Sequence, residues 1–219
     1  MSLVNDVDLR ADGWVVVVPA KGGDKAKSRL TAPRGTQRHT LAAAFALDTV
    51  AAALAAVGTG RVYAVTGPGP LVALLEALGA VVVPDPGGGL NAAIRAGLEH
   101  AAAEAPVRVG LAVLLADLPA LTADSLSVAL GAAAGVERAV VPDIDGTGSV
   151  LITATGRAVP EPAFGLDSAA RHAAGGQQRL DLDLPRLRTD VDDTTSLRAA
   201  LALGVGRHTT AALHHAATG

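Results

Sequence analysis

The sequence of 219 residues is 50% apolar and 18% charged, which is enough apolar surface to bury one core, so we expect a single domain spanning residues 1–219. A net charge of −3, a pI near 6.0 and only 2% aromatic residues exclude a basic or stacking surface for nucleic acid. Cysteine is absent and neither a signal pattern nor a long uninterrupted apolar run occurs, so we expect a cytoplasmic protein without disulfides or membrane contact.

Five short apolar runs in the first two thirds of the chain predict buried strands. The runs do not alternate with polar residues, which is typical of strands covered on both faces. Helical patterns fall between them and predict a three-layer α/β fold with a mostly parallel sheet. The predicted strands are Trp14–Val18, Val62–Thr66, Ala80–Val83, Leu111–Leu115 and Ala139–Val141, and the predicted helices are Thr36–Val57, Pro70–Leu78, Asn91–Glu104 and Ala123–Ala133.

The patterns become weaker after Val141. We predict a strand, a short helix, a last strand and a helix, in that order, over Ser149–Thr153, Ser168–Ala174, Leu187–Val191 and Thr194–Leu203. The tail after Gly206 shows no pattern from which we infer chemistry, and we interpret its histidines as surface residues.

Sheets of this kind bind ligands beyond the carboxyl ends of their strands. We therefore expect the segments that follow four of the predicted strands to meet at one edge. They are the loop after Val18, Thr66–Pro70, Pro84–Asn91 and Ala116–Pro119.

The loop after the first strand, residues 21–29, carries every lysine of the chain, and we call it the lysine loop. Lys21, Lys25 and Lys27 lie here, whereas all other basic residues are arginine. Compact ammonium groups beside glycine amides are typical of polyphosphate sites. The alternative is a solvated basic turn.

Three carboxylates are candidate metal ligands. Asp117 follows a predicted central strand, and Asp190 and Asp192 have the spacing that places two side chains on one face of a strand. Two carboxylates on one face repel each other unless a cation lies between them, and hard oxygen ligands favour Mg²⁺. The alternative is that these residues cap helices. Thr122 and Asp124 are better placed than Asp117 to cap the helix that follows it, and either Asp193 or Asp192 alone is placed to cap the helix at Thr194.

Two glycine-containing segments are candidate ligand contacts. Gly88 lies in a triple glycine before Asn91, which suits close approach of a base or ribose, although a flexible turn fits equally. Two further groups are candidates for holding a second, small anion, and each residue fits ordinary turn chemistry as well: Thr147 with Gly146 and Gly148, and Gly165 with Ser168 and His172. The GxxxxGK[ST] and GxGxxG motifs are both absent, which disfavours kinases and NAD enzymes.

Several of these segments together resemble one enzyme family. The matching motifs are PxKxxxxAKSRL at Pro19–Leu30, ADLP at Ala116–Pro119, PDxxGTG at Pro142–Gly148, FGxxSxxxH at Phe164–His172 and DVD at Asp190–Asp192. The chain is similar to the phosphoenolpyruvate and 2-phospho-L-lactate guanylyltransferases of coenzyme F-420 biosynthesis. It departs from many of them at Ser149 and Val150, where they have Thr and Asn, and at Leu166 and Asp167, which interrupt a glycine-rich turn.

The resemblance implies a Rossmann-like nucleotidyltransferase fold of the GT-A type, with GTP and phosphoenolpyruvate or 2-phospho-L-lactate as substrates and a downstream deazaflavin transferase as a partner. It implies that Asp117, Asp190 and Asp192 hold Mg²⁺ and that Thr147, Gly165 and Ser168 bind the acceptor. The GTP contacts expected with it are Lys21, Lys25, Lys27, Ser28, Arg29, Gly88 and Asn91, and Lys21, Lys27 and Asp117 are the expected catalytic residues.

Two other interpretations stay open at the level of sequence. One is a nucleotidyltransferase of the same fold that uses a sugar phosphate or a molybdopterin as acceptor. The other is a non-catalytic nucleotide-binding module, against which the presence of all three aspartates argues.

Overall fold

The computed structural model describes residues 13–20, 37–104 and 110–217. The strands are β1 (Trp14–Pro19), β2 (Val62–Thr66), β3 (Val81–Pro84), β4 (Gly110–Leu114), β5 (Arg138–Pro142), β6 (Ser149–Ala154) and β7 (Gln178–Arg179). The helices are α1 (Arg38–Val57), α2 (Pro70–Leu78), α3 (Leu90–Glu104), α4 (Ala123–Ala133), α5 (Ser168–Ala174), α6 (Pro185–Arg188), α7 (Thr194–Leu203) and α8 (Arg207–Ala217).

Seven strands of the described chain form one mixed sheet in the order β3-β2-β1-β4-β6-β5-β7. Only β6 among them runs antiparallel to its neighbours, β4 and β5, and the other pairings are parallel. The predicted α/β architecture with a mostly parallel mixed sheet is therefore confirmed. The carboxyl ends of β1 to β5 lie at one edge, where β6 begins.

Both faces of the sheet are covered, which explains why the strands are continuously apolar. Along β1, Trp14 and Val16 pack against α1, α2 and α4, whereas Val15 and Val17 pack against α3. Helix α3 lies very close to the sheet because Gly97 has no side chain: a Cβ at this position would stand only 2.5 Å from a methyl group of Val17. A larger residue at this position would push α3 away from the sheet.

Helix α1 is the one helix of the described chain that is long and apolar enough to cross a membrane. More than half of the most apolar stretch of this helix is nevertheless buried inside the protein. Its buried Asp48 accepts hydrogen bonds from the N–H groups of His208 and Thr209, at 2.9 and 2.8 Å, and so anchors α8. These contacts are those of a core helix.

Most predicted elements agree with the structure to within two residues, but the last predicted strand, Leu187–Val191, is wrong. Pro185 begins the short helix α6, which ends at Arg188, and the residues after it are extended without joining the sheet. The physical reason is that proline favours the first turn of a helix and that the N–H of Val191 bonds to a loop carbonyl. Strand β7 and helix α8 were not predicted.

Candidate active site

The three candidate metal ligands come together at the predicted edge of the sheet. Carboxylate oxygens of Asp117, Asp190 and Asp192 lie within 4.8 Å of one another. Asp117 follows β4, and the other two lie in the connection between α6 and α7. Asp117 and Asp190 are half-buried and Asp192 is exposed, so the cluster is open to a ligand on one side.

A buried valine holds the two distant aspartates beside the first. Val191 has no exposed surface and packs against α1 and α7. Its N–H donates to the carbonyl oxygen of Asp117 at 3.0 Å. The residues on either side of Val191 therefore extend back towards Asp117, although the segment is not a strand.

Thr49 of α1 holds the loop that carries Asp117 from the interior of the protein. The fully buried Thr49 hydroxyl donates to the carbonyl of Ala116 and accepts from the N–H of Leu118, both at 3.2 Å. Sequence reasoning missed this residue, because a threonine inside an apolar helix carries no local signal of a contact to a loop 67 residues away.

The helix caps near the cluster are made by other residues. Thr122 caps α4, and Asp193 caps α7 by accepting from the N–H groups of Thr195 and Ser196, both at 2.8 Å. The bonds from Ser196 lower the pKa of Asp193. The three clustered carboxylates are therefore not the caps of these helices.

The loop between β5 and β6, residues 143–148, is organised by Asp143. Its carboxylate accepts from the N–H groups of Thr147 and Gly148, at 2.9 and 2.7 Å. The N–H of Thr147 is thus engaged within the loop, while its side chain is exposed. Sequence reasoning did not select Asp143, although an Asp-initiated turn before a Gly-Thr-Gly run is a recognisable signal.

Gly165 lies in a second loop, which leads to Ser168 at the start of α5, and a main-chain bond joins α5 to the first loop. The N–H of Ala169 donates to the carbonyl of Thr147 at 3.0 Å. Gly165 is exposed and has a φ of 127°, a conformation that favours glycine. The structure therefore brings all three predicted acceptor residues into one region.

Ser168 belongs to a buried hydrogen-bond network rather than to the exposed surface. Its hydroxyl donates to Ser149 at 3.2 Å, and Ser149 bonds to Nδ1 of His172 at 2.9 Å. The N–H of Ala163 donates to the other ring nitrogen, Nε2, at 2.9 Å. Nε2 is therefore unprotonated, and the neutral ring carries its proton on Nδ1. Ser168 supports the loop in this way, and a direct contact with an acceptor stays a prediction.

Burial is the main reason why the pKa of His172 is lowered, to about 4, and the nearby charge of Arg171 lowers it further. The ring is 1% exposed and also packs edge-on against Phe164, with centroids 4.8 Å apart. His172 is therefore neutral at physiological pH and holds the segment before Gly165 against β6.

Arg188 connects the loop 143–148 to the aspartate segment. Its guanidinium donates to the carbonyls of Pro142, Asp143 and Leu182, with the shortest distance, 2.8 Å, to Asp143. Its own carbonyl accepts from the N–H of Ile144 at 2.7 Å. Since Arg188 lies two residues before Asp190, these bonds hold the loop 143–148 beside the aspartate segment.

Comparisons with known proteins show the family of the chain. The model of the MobA-like NTP transferase domain matches residues 22–191, from the lysine loop to Val191. A phosphoenolpyruvate guanylyltransferase from Geodermatophilus obscurus is 47% identical and covers 93% of this chain and 95% of its own. One from Streptomyces coelicolor is 49% identical, with coverages of 90% and 94%.

The chain belongs to the phosphoenolpyruvate guanylyltransferase family. The expected resemblance is thereby confirmed, and the MobA-like domain makes the protein a nucleotidyltransferase. Among solved structures, a nucleotidyl transferase from Methanothermobacter superposes with a TM-score of 0.53 at 16% identity and covers 87% of this chain and 96% of its own. At this identity the likeness shows the shared fold alone, which is the predicted nucleotidyltransferase fold.

In this family member, Asn91 joins the glycine-rich turn to the loop that contains Phe164 and Gly165. Its side-chain amide donates to the carbonyl of Phe164 at 3.1 Å and accepts from the same residue's N–H at 3.0 Å. One N–H and one lone pair of the amide remain for a ligand. Gly88 is exposed in the turn, and its φ of 81° requires glycine. Contact of either residue with GTP stays a prediction.

The lysine loop lies outside the described residues. The predicted GTP contacts that fall there are Lys21, Lys25, Lys27, Ser28 and Arg29. Strand β1 ends at Pro19, which pairs with Val65 of β2, and Trp14–Val17 of the same strand pair with β4, the strand that leads to Asp117.

Proposed function

We propose that this protein transfers GMP from GTP to phosphoenolpyruvate, with release of pyrophosphate, in coenzyme F-420 biosynthesis. The observation that carries the proposal is the convergence of Asp117, Asp190 and Asp192 within 4.8 Å, next to the loops of Thr147 and Gly165. The names of its relatives support the choice of guanine nucleotide and acceptor.

The donor set of the carboxylate cluster suits a divalent cation, and we assign it to Mg²⁺. All three groups offer hard oxygen ligands, and their mutual repulsion at this distance is relieved by a cation. A bound Mg²⁺ supplies charge neutralisation for the phosphates. Asp117, fixed by Thr49 and by the Val191 N–H, provides the most rigid of the three ligands.

The proposed reaction needs no catalytic base, because of the chemistry of the acceptor. The acceptor phosphate is an oxyanion, so one of its oxygens attacks the α-phosphorus of GTP directly. The bond from that phosphorus to the β-phosphate oxygen breaks, and pyrophosphate leaves. Positioning and charge neutralisation are then the main tasks of the protein.

The remaining predicted contacts fit this arrangement. Lys21, Lys25 and Lys27, with Ser28 and Arg29, are assigned to the GTP phosphates, and the turn of Gly88 and Asn91 to the nucleoside. Thr147 and Gly165 are assigned to the acceptor, supported by Ser168 from the interior. The proposed location is the cytoplasm, and the product is passed to a deazaflavin transferase.

The proposal is tested by measuring pyrophosphate release with GTP and Mg²⁺ and one acceptor at a time. We expect turnover with phosphoenolpyruvate and a kcat/KM about ten- to two-hundredfold lower with 2-phospho-L-lactate, because its tetrahedral carbon differs from the planar one by little volume. Sugar phosphates and molybdopterin are expected to be inactive. An equal or reversed preference for phospholactate would overturn the choice of acceptor, and turnover only with another acceptor would overturn the function.

A further inference from the structure

An arginine that sequence reasoning did not select lies against the predicted acceptor loop. Arg171 lies on α5, one turn after its start, and its side chain reaches back to Gly165. The Nη2 atom lies 2.9 Å from the position that a Cβ on residue 165 would take. The φ of 127° favours glycine at this position, and the guanidinium lies directly beside the glycine.

The guanidinium of Arg171 has no charged or hydrogen-bonding partner in the described part of the chain. Within residues 13–20, 37–104 and 110–217, no hydrogen bond or ion pair engages its side chain. The two other arginines near these loops are occupied. Arg179 bonds to Asp181 and to the carbonyl of Gly146, both at 2.9 Å, and Arg188 bonds to three carbonyls.

The position of Arg171 suits an anion rather than solvent alone. The residue is exposed, yet its guanidinium stands next to Gly165, in the loop that is bonded to Thr147 through Ala169. Its field also reaches into the loop, since it contributes to the lowered pKa of His172. A cation held beside a glycine main chain is a common arrangement for binding carboxylates and phosphates.

The two charged groups of the acceptor suit different parts of the site. Phosphoenolpyruvate carries a phosphate and a carboxylate. A cation held by the three aspartates suits the phosphate, which carries the larger negative charge, and the carboxylate at the other end of the acceptor then needs a different partner. A planar guanidinium matches a carboxylate through two parallel hydrogen bonds, which a lysine ammonium does not provide.

We propose that Arg171 binds the carboxylate of the acceptor and selects acceptors that have one. This inference rests on the proposed function, because it requires an acceptor with both a phosphate and a carboxylate. Arg171 makes no contact with the transferred phosphorus in this arrangement, so its contribution is to affinity and selectivity for the acceptor.

The first test compares the KM values of both substrates in Arg171→Ala, Arg171→Lys and the wild type. We expect the alanine variant to raise the KM for phosphoenolpyruvate about ten- to a hundredfold, as for loss of a charge-assisted pair, and to leave the KM for GTP unchanged. The lysine variant should fall between the two. Arg157→Ala is the matched control, since Arg157 is an exposed arginine after β6, at the opposite edge of the sheet.

The second test uses isopropenyl phosphate, in which a methyl group replaces the carboxylate of phosphoenolpyruvate. Its inhibition constant against phosphoenolpyruvate should be the same in the wild type and in Arg171→Ala. An equal loss of affinity for both compounds would overturn the carboxylate assignment, because the residue would then serve the phosphate or the fold.

Three other results of these kinetic measurements would also test the inference. A rise in the KM for GTP alone would assign Arg171 to the nucleotide and overturn the inference. An unchanged KM for phosphoenolpyruvate in an active Arg171→Ala enzyme would overturn the inference and leave the proposed function intact. A wild-type protein that does not use phosphoenolpyruvate would overturn both.

Discussion

His172 makes folding stability depend on pH in a way that the structure allows us to estimate. The ring is buried, and its Nε2 accepts the N–H of Ala163, so a proton can bind there only if that bond breaks. The folded-state pKa is lowered to about 4, mainly by burial and then by Arg171. In the unfolded chain, histidine titrates near its ordinary pKa of about 6.5.

The direction in which stability changes with pH depends on whether the folded or the unfolded state binds the proton. Between pH 6.5 and 4 the unfolded chain binds a proton that the folded protein does not, so stability falls as pH falls through this range. A pKa difference of about 2.5 units lowers the free energy of unfolding by about 2 kcal/mol at pH 5 relative to pH 8. A loss of this size is a large part of the 5–15 kcal/mol typical of a domain.

The assay is urea unfolding at several pH values between 5 and 8 for the wild type and for His172→Gln, which cannot titrate. The variant is less stable at pH 8, because its contacts to Ala163 and Ser149 change, but the difference between the two proteins should shrink by about 2 kcal/mol towards pH 5. His100→Gln, which changes an exposed histidine of α3 and keeps His172, should retain the wild-type loss. Curves of wild type and His172→Gln that stay parallel would refute the reasoning.

Three further predictions concern the cluster and its supports. Asp117→Asn should abolish Mg²⁺-dependent pyrophosphate release, because a neutral amide holds a dication poorly, whereas Asp193→Ala should lower the melting temperature but not change the Mg²⁺ dependence. Activity of Asp117→Asn equal to wild type would remove that residue from the site. Thr49→Val, which keeps the shape and removes both bonds to the Asp117 loop, should cost about 1–3 kcal/mol in urea unfolding and lower kcat, and an unchanged kcat would show that the loop is positioned without it. Changing each lysine of the lysine loop to alanine should lower kcat/KM for GTP roughly tenfold in at least one variant with the fold intact by circular dichroism, and three unchanged variants would contradict its assignment to the phosphates.

Local sequence patterns predicted most of the fold because the signals that produce these elements are themselves local. Helix α2 has the predicted bounds, beginning at Pro70 and ending before Gly79, whose left-handed conformation stops it. The same logic failed at Leu187–Val191, which we predicted to be a strand. There the N–H of Val191 found its partner in the carbonyl of Asp117, and no local pattern encodes that choice.

The sequence by itself determined the buried strands, the helices between them and the chemical identity of the site residues. A strand's side-chain pattern and a carboxylate's charge are properties of the residues themselves. The tertiary structure alone decided that Asp190 lies beside Asp117 and that Thr49 of the core holds the loop of Asp117. It also decided that Ser168 is buried, while Arg171 is exposed beside Gly165. These contacts join residues far apart in the chain, and they exist because packing of α1 and α5 against the sheet, and of α7 against α1, brings buried polar groups to partners that satisfy them.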